Sequence, residues 1–175
     1  MCNVGCVTPE RRRTVPAMRR IAPFALLLAV VAVLVARGGD DEPRDSGRAQ
    51  VVRVVDGDTV VLSGLGKARL IGVDTPEVHG RNECYGAQAS RFARRALAHQ
   101  RVRYRLGAEP RDRYGRSLVY LWLEDGRFFN AVLIGQGYAT PLTIPPNVAH
   151  AHELAQLARD ARRAGKGVWS ACRMG

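Results

Sequence analysis

Three short stretches of this chain hold side chains whose types and spacing suit work on a phosphodiester. Asp56 and Asp58 lie in Val-Val-Asp-Gly-Asp-Thr-Val, Arg69, Asp74 and Glu77 in Arg-Leu-Ile-Gly-Val-Asp-Thr-Pro-Glu, and Arg116 closes Asp-Arg-Tyr-Gly-Arg. Carboxylates and a backbone carbonyl can hold a hard cation such as Ca²⁺, which takes six to eight oxygen ligands in irregular geometry. On that reading Asp58, Asp74 and Thr75 are the candidate ligands. Glu77, three residues past Asp74, is the candidate base for an attacking water, and the forked guanidinium groups of Arg69 and Arg116 suit phosphate oxygens. Asp-Gly taken alone marks nothing more than a hairpin turn, so the weight rests on the three stretches together.

Elements of ordinary kind must position these groups. Between Gln50 and Val73, apolar segments broken at Asp56-Gly57-Asp58 and Ser63-Gly-Leu-Gly66 predict three short strands with tight turns. Arg101 to Leu106 and Ser117 to Leu123 predict two more. Gly86 to His99 carries Ala89, Phe92, Ala93, Ala96 and Leu97 at helical spacing, with Arg91, Arg94 and Arg95 opposite. Further helices are predicted over Asn130–Gln136 and Ala149–Ala164, the latter with Asn147 as N-cap. Five short strands with one helix inserted and others following predict an α+β fold, a Greek-key barrel of OB type.

The flanks are different in character. Residues 1–37 read as a targeting segment: arginines, then a sixteen-residue apolar run from Ile21 to Ala36, then Arg37. The run is short for a membrane span, which takes about 20 residues, and its end is a poor cleavage site, so signal peptide and anchor are both open. Met18, just before the run, is an alternative start that would exclude Cys2 and Cys6. The arginines before the run predict that the residues after Arg37 lie outside the cytoplasm, secreted or anchored. Residues 38–48, rich in Gly, Asp, Glu, Pro and Ser, predict a linker, and 49–173 the folded domain. Cys84 and Cys172, the two cysteines of that domain, are expected to bond in an oxidising compartment, with two unrelated thiols as the alternative. The formal net charge is +11, and without Glu10 and the five arginines ahead of the apolar run it is still +7, which attracts polyanions without identifying one.

In order and spacing, Val54 to Val60, Arg69 to Glu77, Asp112 to Arg116 and Val168-Trp-Ser170 resemble the staphylococcal nuclease (thermonuclease) family. The resemblance runs from about Gln50 to Cys172. It implies an OB-fold five-stranded barrel with three α-helices and Ca²⁺-dependent cleavage of DNA and RNA to 3′-phosphate ends. It also implies that Asp58, Asp74 and the Thr75 carbonyl hold calcium with Asp56 and Thr59 in support, that Glu77 is the base, and that Arg69 and Arg116 bind phosphate. Tyr114 and Arg113 match substrate-binding positions, whereas Leu142 and Ile144 stand in the segment where family members with strong nucleotide binding carry tyrosines. Single strands or frayed duplex are the expected substrates, and a non-catalytic OB-fold module binding nucleic acid is the rival reading. His150 and His152 are expected to serve surface or capping roles, His79 to be an exposed loop histidine, and Trp169 to pack the C-terminal segment.

Overall fold

In the computed structural model, the described residues are 45–172 except His79 and Arg81, so expectations for the targeting segment, most of the linker and His79 lie outside them. Strands β1 (Ser46–Val54), β2 (Thr59–Leu62), β3 (Gly66–Leu70), β5 (Arg101–Arg111) and β6 (Ser117–Leu123) close a barrel in the order β1-β2-β3-β6-β5. The meander β1-β2-β3 is antiparallel, but β3 meets β6 in parallel, with Arg69 beside Leu118. A two-stranded ribbon, β4 (Val73–Asp74) with β7 (Thr140–Pro141), stands apart from the barrel sheet. The expected five-stranded barrel is therefore present, and the fold is of OB type.

Alternation decides which side of each strand faces inward. Val51, Leu62, Leu70, Val102 and Leu121 are buried in one core. Helix α1 (Gly86–Leu97) buries Ala89, lays Ala93 and Leu97 on that core and leaves Arg91, Arg94 and Arg95 exposed, so its helical periodicity translates directly into packing. Full burial of a residue such as Leu97 is worth about 1.5–3 kcal/mol. Phe92 stacks on Tyr138 with ring centroids 4.2 Å apart, joining α1 to the segment after α2 (Phe129–Gly135). Helix α3 (Ala151–Arg163) buries Leu154, Ala158 and Ala161, and a short helix α4 (Val168–Ala171) follows, carrying the partly buried Trp169 against the core.

Four sequence expectations need correction. Strand β1 starts at Ser46, because Ser46, Gly47 and Arg48 pair with Arg105, Tyr104 and Arg103; three residues assigned to the linker belong to the barrel. Strand β5 continues past Leu106 to Arg111 through an irregularity that keeps it paired with Ser117. Four helices follow one another among the described residues where three were expected, the fourth being the short α4. Asn147 does not cap α3, whose N-cap position is His150 with no side-chain bond. Its amide instead accepts from Glu109 N–H at 2.9 Å and donates to Glu109 C=O at 3.0 Å, serving the irregular part of β5 as a missing strand neighbour would.

Candidate active site

The Asp56-Gly57-Asp58 turn joins β1 to β2, and it folds back because Asp56 Oδ1 accepts the Asp58 N–H at 3.1 Å. A Cβ on Gly57 would fall 2.6 Å from the Thr75 side chain, so glycine is what lets the turn approach the loop after β4. Across that contact Asp58 is clamped. Its Oδ2 accepts from Thr75 N–H at 2.8 Å and Thr75 Oγ1 at 2.7 Å, and its Oδ1 accepts from Thr59 Oγ1 at 3.2 Å. Asp58, Thr59 and Thr75 are all buried. Burying an unpaired carboxylate would be costly, and these donors together with Arg69 remove that cost.

Arg69 projects from β3 between two carboxylates. Its Nη1 pairs with Asp58 Oδ1, and its Nη2 lies 2.9 Å from Asp74 Oδ1. Burial is the main influence holding this guanidinium below its ordinary pKa; Asp74 opposes it, and the positive charge of Arg116 adds to the lowering. Two cationic groups are thus close enough to disfavour each other, an arrangement that an anion between them would relieve.

Arg116 is set by the turn between β5 and β6. Asp112 Oδ1 accepts from the backbone N–H groups of Tyr114 and Arg116, both at 2.9 Å, and Oδ2 accepts from Arg116 Nε at 2.6 Å. Partial burial alone would raise the Asp112 carboxyl, but these hydrogen bonds outweigh it and hold the group below the usual carboxylate range. Because Asp112 takes only Nε, among the described residues both Nη groups of Arg116 are left for another anion. Tyr114 is 69 % exposed, with Arg113 over its ring at 4.8 Å and donating to its hydroxyl at 2.7 Å. A cleft of about 490 Å³ is lined by Arg69, Arg113, Tyr114 and Arg116 together with Leu142 and Ile144. Structure therefore brings both arginines and the two expected substrate-binding residues to one opening, and places Asp58 and Asp74 behind Arg69.

Glu77 differs from its neighbours. It is exposed, and its carboxylate has no partner among the described residues, while its backbone is held twice by Glu83: Glu77 N–H donates to Glu83 Oε2 at 2.9 Å, and Glu83 N–H to Glu77 C=O at 3.0 Å. Helix α1 begins directly against this loop, since a Cβ on Gly86 would lie 2.7 Å from the Glu77 carbonyl. Next to Glu83, Cys84 is bonded to Cys172, so the loop is tied to the C-terminal segment.

Two positioning residues escaped the sequence reading. Asn130, wholly buried in α2, donates to Ile71 C=O at 2.8 Å and accepts from Leu121 N–H at 3.0 Å, fixing the approach to β4. Asparagine in an apolar helix was the available signal. His150, expected in a surface or capping role, does stand at the N-cap position of α3, but its ring is half-buried against Tyr120, Trp122 and Phe128 and bonds to Arg105 and Glu153. Nothing in its neighbours along the chain marks that environment.

A hard cation fits the donors present. Asp58 and Asp74 already converge on one positive group, and no described group donates to the carbonyl of Thr75, the residue after Asp74. Among the described residues no three His, Cys, Asp or Glu side chains gather as a metal group, so a cation here would rest on two carboxylates plus carbonyl and water oxygens.

A closed barrel of OB type with a paired-arginine cleft backed by carboxylates defines a class of phosphate-directed domains. Residues 67–171 match the family described as staphylococcal nuclease homologue, and the chain belongs to that family. It is 36 % identical over 167 residues to the thermonuclease of Staphylococcus intermedius, covering 87 % of this chain and 99 % of that one. It is 39 % identical over 127 residues to the thermonuclease of Staphylococcus hyicus, covering 69 % and 75 %. An endonuclease of Bacillus subtilis is 31 % identical over 135 residues, which span 69 % of this chain and 11 % of that protein.

Proposed function

We infer that this chain is a nuclease that hydrolyses phosphodiester bonds, and we propose that it does so with Ca²⁺ on DNA and RNA, leaving 3′-phosphate ends. The observation that carries this reading is the convergence of Arg69 and Arg116 on one cleft, with, among the described residues, no partner on either Nη group of Arg116 or on the carboxylate of Glu77 on the neighbouring loop. Relatives named thermonuclease and endonuclease support the reaction class.

In this mechanism Arg116 receives the phosphate with its two Nη groups while Asp112 keeps the guanidinium oriented. Arg69 meets charge growing on a non-bridging oxygen from the other wall, and Arg116 is placed to assist the leaving oxygen. Glu77 takes a proton from the attacking water; its exposure leaves the carboxylate reachable, and among the described residues nothing pairs with it. Asp58, Asp74 and the Thr75 carbonyl would hold Ca²⁺, with Asp56 and Thr59 fixing Asp58; when bound, the cation supplies Lewis-acid stabilisation of phosphoryl charge. Leu142, Ile144 and the exposed Tyr114 offer apolar faces to a splayed base, which favours single strands or frayed duplex over stacked duplex.

We also propose an extracytoplasmic site of action, supported by the Cys84–Cys172 bond and by the arginines before the apolar run of 21–36. The test is cleavage of single-stranded DNA and RNA by the full chain with Ca²⁺ or with chelator. Cleavage that requires Ca²⁺ and yields 3′-phosphate ends is expected. A folded protein that binds both strands and cuts neither at any Ca²⁺ level would be the non-catalytic OB-fold module instead.

A further inference from the structure

On the barrel wall formed by β1 and β5, four exposed arginines share one face. Arg101, Arg103 and Arg105 alternate with the inward residues Val102, Tyr104 and Leu106, and Arg48 on β1 is the direct cross-strand partner of Arg103. Like charges directly opposite in a sheet are destabilising. Among the described residues none of the four is in an ion pair. Glu124 and Asp125 sit at the edge of the shallow depression lined by Arg48, Arg101 and Arg103, and Asp125 is taken by Arg127 at 2.7 Å. Trp122, opposite Arg103 on β6, lies beneath two guanidinium groups, with Arg103 at 5.7 Å and Arg105 at 5.8 Å from its ring centroid.

We propose that this face is a second contact surface for the phosphate backbone of a single-stranded nucleic acid, separate from the catalytic cleft. The array is linear: alternate residues of a strand repeat every ~6.8 Å, so the guanidinium groups form a charged track of the kind that follows the backbone of a single strand. Continuity with the cleft is provided by β5 itself, whose first half carries the arginines and whose residue Glu109 lines the cleft. An anionic membrane is the poorer match. Lipid binding draws on apolar side chains that insert, and Val52 is the one exposed large apolar residue on these two strands. The proposal rests on the nuclease reading for its choice of polyanion.

The test compares the full chain with the triple variant Arg48→Gln, Arg101→Gln, Arg103→Gln, and with the matching triple lysine variant. Arg105 is left in place because it also bonds His150. Binding to labelled oligothymidylates of about 20 and about 4 nucleotides is titrated in chelator over a range of salt. Hydrolysis of a nitrophenyl ester of a thymidine phosphate, small enough to occupy only the cleft, is followed with Ca²⁺. The expected result is weaker binding of the long strand, with the salt slope reduced by about 2, at ~0.7 for each phosphate that is no longer neutralised. Short-strand binding and ester hydrolysis should stay unchanged, and the lysine variant should restore the slope. An unchanged slope while the ester is still hydrolysed overturns the surface and leaves the nuclease reading standing. Loss of ester hydrolysis in the unaltered chain sinks the nuclease reading itself. If the glutamine variant keeps long-strand binding but no longer binds phosphatidylglycerol vesicles, the face contacts lipid and the proposal is wrong.

Discussion

Asp58 and Glu77 are both carboxylates on loops beside the same barrel end, yet their surroundings are opposite. Asp58 is buried and both its oxygens are filled, by Thr75, Thr59 and Arg69; Glu77 is exposed and among the described residues its carboxylate has no partner. A carboxylate held by several donors is fixed in place and cannot readily exchange a proton with a water, whereas one free of partners can. The comparison gives the first a structural role and fits the proton transfer proposed for the second. It also requires that the two respond differently to substitution.

Asp58→Ala is expected to have the largest effect, because it removes both stability and activity. It strands the Thr75 donors and leaves Arg69, which is buried on most sides, with Asp74 alone, so a loss of about 3 kcal/mol in urea unfolding is expected along with cleavage. Glu77→Gln should separate the two properties. Cleavage falls by about 10²–10⁴-fold, while the urea midpoint stays within about 0.5 kcal/mol of the parent, as for other exposed sites. If Glu77→Gln unfolds the protein as Asp58→Ala does, the contrast between the two carboxylates is false.

The loop carrying Glu77 has its own restraint, and breaking it sharpens the contrast further. The Cys84–Cys172 bond spans 88 residues, and on the chain-entropy model its loss in a Cys84→Ser, Cys172→Ser variant costs up to about 4 to 5 kcal/mol. Because Glu83 next to it holds Glu77 at both N–H and C=O, cleavage measured well below the lowered melting temperature should also drop, while Asp58 keeps its clamp. Full activity in the folded double variant would show that Glu77 is positioned without the bond.

How much could be read from the chain depends on the range of the interactions. The meeting of Asp58, Arg69 and Asp74 was legible because they lie within twenty residues of one another and each follows a turn or strand that its own neighbours specify. The barrel was legible for the same reason: alternation marks strands wherever one face is buried. Asn130 was not, since its meaning lies in Ile71, fifty-nine positions away, and neither residue carries a local sign of the other. Asn147 was misread because an asparagine before a helix is a good N-cap on local grounds, and only the irregularity in β5 gives its amide a better partner. The start of β1 was placed late because Ser46 and Gly47 have linker composition and are strand only through pairing with β5.

The smallest expected effect concerns Asp112, the carboxylate that orients Arg116 as Glu83 orients Glu77. Its pKa is depressed in the folded protein, so its contribution to stability is fully present above the ordinary aspartate value of about 3.9 and disappears as pH falls through the lower folded value. Between neutral pH and about 4 the contribution is therefore flat, and an Asp112→Asn variant should differ from the parent by a constant amount across that window. Below it, the parent should lose stability toward the variant until the two converge. Because Asp112 lies in an open turn, the stability difference is small, and the clearer readout is kinetic: without the Oδ2 bond to Nε, Arg116 loses its orientation but keeps its charge, so kcat should fall more than substrate binding weakens. Equal losses in both would mean that Asp112 merely holds the turn between β5 and β6, and that Arg116 finds the phosphate without its help.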